Sequence, residues 1–174
     1  YALRSKFVLK GLWFDQYPYC YGPIYNPMVN GHGFYSGSFP PLLVWAIALC
    51  MKFLGVSTLA ARLPAALAGT GCVWVMYLWG RRAWDRTTGV WAAFALASCF
   101  IFITYARRAQ FDIPVVFFMA LTLYWGLCHY RALAAGAGQP WRWMALAGVA
   151  LGLGLMTKII ICEFAAVVLF LFGL

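Results

Sequence analysis

The sequence predicts an all-α fold, a polytopic transmembrane helix bundle with interfacial juxtamembrane helices. Three observations carry that expectation. Hydrophobic residues make up 65% of the 174-residue chain and charged residues only 10%, a balance far from that of a soluble domain. From residue 63 onward, apolar runs near the length of a membrane crossing follow one another, bracketed by charged residues. Pro, Gly and Tyr gather in one stretch, 17–41, which suits an ordered loop better than a regular element.

Residues 1–61 are expected to form a loop with juxtamembrane helices. Lys6 and Lys10 stand at i,i+4 spacing, so the first dozen residues read as a surface helix. The run 42–54 is apolar but short and is interrupted by Lys52. About 20 residues are needed to cross the hydrocarbon, so this run reads as an interfacial helix. Residues 62–174 are expected to form the bundle, with about five spans at 63–80, 87–106, 113–130, 143–157 and 159–174. The fourth is short, which implies that Trp141 and Lys158 snorkel outward. Gly148 with Gly152, and Ala65 with Gly69, have the small-residue spacing that allows helices to approach closely. Tyr1 is not a Met and Leu174 lies inside an apolar run, so the chain is expected to be an internal fragment of a longer protein.

The formal charge is +9, from 13 cations against 4 acids. Most of the cations flank apolar runs, where headgroups or a lipid phosphate are the natural partners. No basic run with interleaved aromatics could track a nucleic acid, so no nucleic-acid partner is expected. The six cysteines are scattered singly, without a C-x-x-C pair, and no disulfide or metal framework is readable. His32 is a lone loop histidine that reads as hydrogen-bonding in preference to metal-ligating, and His129 reads as an interface residue.

Counting crossings places the N-terminal loop, the hinge from Arg107 to Asp112, and Lys158 at one face of the bundle. Arg81, Arg82, Arg86, Arg131 and Arg142 fall at the other. Near the spans each face carries five cations, so the positive-inside rule does not choose between them. The first face joins a carboxylate and three cations to a tyrosine-rich loop. That set suits reaction on a lipid-linked phosphate: cations neutralise the leaving phosphate, and a carboxylate orients or deprotonates a hydroxyl. Each residue also has a plainer reading. Asp112 would serve as an N-cap, Arg107 and Arg108 as interfacial anchors, and Lys158 as the end of a span. Glu163 stands at i,i+5 from Lys158, a spacing helix geometry does not favour for a pair.

Four segments then occur in order: Phe39-Pro40-Pro41-Leu42-Leu43-Val44-Trp45, Ala61-Arg62-Leu63-Pro64-Ala65-Ala66-Leu67-Ala68-Gly69, Ala106-Arg107-Arg108-Ala109-Gln110-Phe111-Asp112-Ile113-Pro114, and Gly152-Leu153-Gly154-Leu155-Met156-Thr157-Lys158. The series resembles the amino-terminal half of the family 39 type glycosyltransferases of the GT-C superfamily. That group includes the protein O-mannosyltransferases and the aminoarabinose transferase of lipid A. The resemblance covers essentially the whole chain. It implies an integral membrane enzyme that transfers a sugar, with inversion, from a polyprenyl-phosphate carrier to a lipid or protein acceptor. It also implies that the site lies on the extracytoplasmic side, by default of a bacterial inner membrane, and that residues 1–61 form an extracytoplasmic loop.

By the same resemblance Asp112 matches the family's second acid, and the primary base is expected in an Asp-Glu pair just upstream of Tyr1. Lys158 matches the lysine near the carrier phosphate, with Arg107 and Arg108 beside it. Tyr1, Arg4, Tyr35, Pro40 and Pro41 belong to the substrate loop. Two departures stand out. Phe39 occupies a position where relatives often have lysine, and it cannot contact a phosphate ionically. Ser38 stands where some relatives have glutamate, so a divalent metal is not supported by the residues present, and no cofactor is expected. Two other classes remain as alternatives. A transporter or flippase would place ionisable groups mid-membrane on broken helices within repeats. A non-catalytic scaffold would use Asp112 only as a cap and the arginines only as anchors.

Overall fold

A computed structural model of the chain describes residues 42–136 and 141–171, the side chains of 159–163 and 171 excepted. Among the described residues every regular element is a helix. In chain order these are α1 Leu42–Leu54, α2 Thr58–Ala83, α3 Arg86–Ser98, α4 Phe100–Ala106, α5 Asp112–Ala134, α6 Trp141–Leu155 and α7 Ile159–Leu171. The helix expected over the first dozen residues and the 17–41 loop lie outside the described residues, as does the Glu163 side chain.

Local capping sets where α2 and α3 begin. Ser57 is extended (φ −137°, ψ 160°), and its hydroxyl accepts the Ala60 N–H at 3.1 Å. This starts α2 ahead of the apolar run 63–80, so the expected boundary at residue 61 falls inside a helix that continues through Pro64 to Ala83. Trp84 and Asp85 make the turn into α3, where the Asp85 carboxylate accepts the Thr88 N–H at 2.7 Å. The two helices then fold back with their backbones touching. A Cβ on Gly80 would lie 2.7 Å from Gly89 Cα, and one on Gly89 would lie 2.6 Å from the Tyr77 carbonyl oxygen. Absent side chains are what permit this approach.

The small-residue pairs read from the sequence behave differently from each other. Ala65 is buried, and a Cβ on Gly69 would come within 3.0 Å of Ala106 Cβ. Gly148 and Gly152 instead face open space, because α6 packs through Ala147, Ala150 and Gly154 on another side of the helix.

The run 87–106, expected as one span, is two helices bent by 67°. Cys99 lies between them in extended conformation (φ −70°, ψ 114°). Its N–H donates to Leu96 O at 3.2 Å to close α3, and its carbonyl accepts the Ile103 N–H at 3.0 Å to open α4. No proline or glycine marks this break, the usual sequence signs of a kink.

By length and composition, the 26-residue α2 and the 23-residue α5 can cross a membrane; the bent pair adds a third crossing if it forms one span, while α1 and α6 are apolar but shorter. Large apolar side chains such as Trp74, Phe94 and Phe170 face outward, as hydrocarbon-facing positions of an integral membrane protein do. α2 and α5 run parallel. Gly69 meets Ile113 near the start of α5, and Arg131 near its end donates from Nη2 to Ala83 O at 2.8 Å. That guanidinium caps the negative end of α2. α5 packs also on α6, and α7 packs on both. α1 lies against the first turns of α2. Its Leu43, Ile47 and Met51, spaced by four, form one buried cluster with Ala60, Ala61 and Phe111.

Candidate functional site

The hinge between α4 and α5 begins with Arg107, which caps the C-terminus of α4 (φ −85°, ψ −4°). Positive charge is favourable at that helix end. The Arg108 guanidinium carbon lies 5.7 Å from the centre of the Tyr105 ring, within cation–π range. Both arginines are exposed. The Gln110 N–H donates to Arg108 O at 2.9 Å and tightens the turn. The chain then buries Phe111, with Ala109 packed beside it, in the α1–α2 cluster.

α5 starts at Asp112, and this corrects the capping interpretation. The N-cap position belongs to Phe111, in helical conformation (φ −74°, ψ −20°) and without a side-chain capping bond. Asp112 is the first helical residue, so its charge sits favourably at the positive helix end. Pro114 follows within the first turn, where a missing N–H removes no intrahelical bond.

The other half of the site comes from the end of α6. There Met156 N–H bonds Gly152 O at 3.0 Å, Thr157 N–H bonds Gly154 O at 2.9 Å, and Lys158 N–H bonds Gly154 O at 3.0 Å. The buried Thr157 turns its hydroxyl back to Leu153 O at 2.9 Å. Lys158 thus leaves the negative end of α6, and its Nζ donates to Asp112 Oδ1 at 2.9 Å. The two side chains are 42% and 39% exposed. A pair at that exposure contributes only about 0–1 kcal/mol to stability, so folding energy is a weak reason for placing it there.

The structure therefore joins Asp112 to Lys158 and leaves Arg107 and Arg108 on the exposed side of the hinge, outside that ion pair. Tyr1, Arg4, His32, Tyr35, Pro40 and Pro41 lie outside the described residues. The sequence reading gave no role to Gln110. Its Oε1 is buried and has no hydrogen-bond partner among the described residues, the kind of acceptor that costs about 1–3 kcal/mol until a donor reaches it. Its position inside the polar hinge was the only signal. Among the described residues no group of three His, Cys, Asp or Glu could hold a metal ion.

A family model for dolichyl-phosphate-mannose-protein mannosyltransferases matches residues 38–174, a stretch containing both halves of this site. The chain is 34% identical to an "Uncharacterized protein" of Aquifex aeolicus (strain VF5) over 104 residues, 59% of this chain and 20% of that protein. It is 28% identical to "Putative mannosyltransferase YkcB" of Bacillus subtilis (strain 168) over 171 residues, 91% of this chain and 23% of that protein. The chain spans about a fifth of the length of these curated relatives. No solved structure matches it. With a model match over most of its length, the chain belongs to the dolichyl-phosphate-mannose-protein mannosyltransferase family.

Proposed function

We propose that the chain is part of a membrane glycosyltransferase that moves a sugar from a polyprenyl-phosphate carrier to a lipid or protein acceptor on the extracytoplasmic side. The observation that carries this reading is the contact between Lys158 and Asp112, two charges 46 positions apart in sequence that meet at one end of an apolar bundle. A half-exposed pair adds little to folding, so its placement is better accounted for by function.

The reaction is a single displacement. The acceptor oxygen attacks the anomeric carbon, the bond from that carbon to the carrier phosphate breaks, and the phosphate leaves with the electron pair. The configuration inverts. Lys158 has three N–H donors; one goes to Asp112, and the others serve the departing phosphate. Arg107 and Arg108 add positive charge at the same end of the bundle. Asp112 holds the ammonium in place and orients the acceptor hydroxyl. The proton of that hydroxyl goes to the acid expected ahead of Tyr1. Tyr1, Arg4, Tyr35, Pro40 and Pro41 form the substrate-facing loop of an extracytoplasmic region ahead of α2.

The transporter alternative predicts ionisable groups on a broken helix. The break at Cys99 lies between Ser98 and Phe100 and carries none.

The test is sugar transfer by the full-length enzyme in liposomes, with a polyprenyl-phosphate sugar as donor. Lys158→Ala should reduce transfer about 10²-fold or more, the loss typical when a transition-state charge donor is removed. Wild-type rates from both Lys158→Ala and Asp112→Asn would remove the pair from the mechanism.

A further inference from the structure

The ion pair joins two chain segments, and one helix holds both. The Leu42 N–H, at the start of α1, donates to Met156 O at 3.1 Å, two residues before Lys158. The two groups are natural partners: the first amides of a helix and the last carbonyls of a helix lack intrahelical bonds. The buried face of α1 holds the other segment. Leu43, Ile47 and Met51 share a core with Phe111, the residue before Asp112, and Ala109 packs against it. Phe111 is 5% exposed and Ile47 is fully buried, so the grip is close-packed.

We infer that α1 is a positioning clamp for the Lys158–Asp112 pair. Its first N–H fixes the chain just ahead of Lys158, and its apolar face fixes the chain just ahead of Asp112. Neither Leu42 nor Phe111 is required to touch substrate; each acts through its neighbour. The catalytic consequence rests on the functional reading above, in which Lys158 meets the carrier phosphate while Asp112 holds the ammonium and orients the acceptor hydroxyl. The geometric claim stands apart from it. Where an ammonium must meet a departing phosphate and a carboxylate an acceptor hydroxyl, a displacement of about 1 Å costs up to about 10²-fold in rate.

The discriminating variant is Leu42→Pro in the full-length enzyme. Proline removes the donor yet is favoured at the first position of a helix, so α1 keeps its start. Leu42→Ala retains the N–H and only trims the side chain. Leu42→Pro should lower kcat about tenfold or more while the donor KM stays within about twofold. Leu42→Ala should keep the wild-type kcat. A role limited to general stability would lower the thermal midpoint without this split.

A second readout needs no transfer at all. Thermal midpoints of Asp112→Asn, Lys158→Gln and the double variant should be non-additive in the wild-type background and additive with Leu42→Pro. The clamp is overturned by a wild-type kcat in Leu42→Pro, by an equal loss in Leu42→Ala, or by non-additivity that survives Leu42→Pro. If the wild-type enzyme transfers no sugar, the functional reading fails and the additivity measurement alone decides the clamp. If Leu42→Pro does not fold, Phe111→Leu loosens the other end of the grip. It should show the same fall in kcat with unchanged KM, and a wild-type kcat there would overturn the inference.

Discussion

Lys158 Nζ donates to Asp112 Oδ1 at 2.9 Å, tying the end of α6 to the start of α5. Each charge sits at the helix end whose dipole favours it, carboxylate at the positive end and ammonium at the negative end. The bond joins residues 46 positions apart. Asp112→Asn should therefore cost at most about 1 kcal/mol of stability. Transfer should fall about 10²-fold, equivalent to about 2.7 kcal/mol of activation free energy. Thermal midpoints and initial rates measured on one preparation separate the two; a rate loss matched by loss of folded protein would make the pair structural.

The contact between Gly80 and Gly89 makes a sharper stability prediction. A Cβ on Gly80 meets Gly89 Cα at 2.7 Å, and backbone cannot swing aside as a side-chain tip can. Gly80→Ala should destabilise by about 1–3 kcal/mol through overpacking. Gly148→Ala meets nothing within 4 Å and should gain up to about 1 kcal/mol from helix propensity. The difference between their thermal midpoints checks the packing of α2 on α3 directly. Equal midpoints would count against that packing.

The start of α2 depends on one hydroxyl. Ser57→Ala removes the acceptor for the Ala60 N–H and should cost about 1 kcal/mol, with Ser57→Asp restoring most of it. Hydrogen exchange at the Ala60 amide reports this locally. It should accelerate in Ser57→Ala, and no change there would place the start of the helix under other control.

Asp85 gives the chain a pH dependence outside its spans. Hydrogen bonding from the Thr88 side chain, and then from its backbone N–H, holds the Asp85 carboxyl below its ordinary range. A lowered folded value means the contribution is present above the unfolded carboxyl pKa of about 3.9 and lost as pH falls through the lower folded value. Asp85→Asn caps the helix without titrating there. Relative to that variant, the wild type should lose thermal stability below about pH 4 and hold it above. Parallel curves for the two proteins would show that the cap does not depend on charge.

Composition and charge placement were enough to predict helices, because burial in hydrocarbon demands that each segment satisfy its own backbone bonds. They were also enough to bring the hinge and Lys158 to one face, since that follows from counting crossings between charged ends. Four ordered motifs sufficed for the family. The caps Ser57 and Asp85 stand ahead of the apolar runs, so the hydropathy pattern alone does not set the helix starts. Tertiary structure decided the rest. An α-helix turns about 100° per residue, so small-residue spacing identifies a stripe without saying which stripe meets a neighbour. Gly80 and Gly89 touch, and Gly148 and Gly152 do not. The bend at Cys99 has no local marker. The choice of Lys158 as the partner of Asp112, over the adjacent Arg107 and Arg108, depends on where α6 ends against α5. That in turn is held by Leu42 N–H on Met156 O and by Phe111 under α1, contacts between segments far apart in sequence.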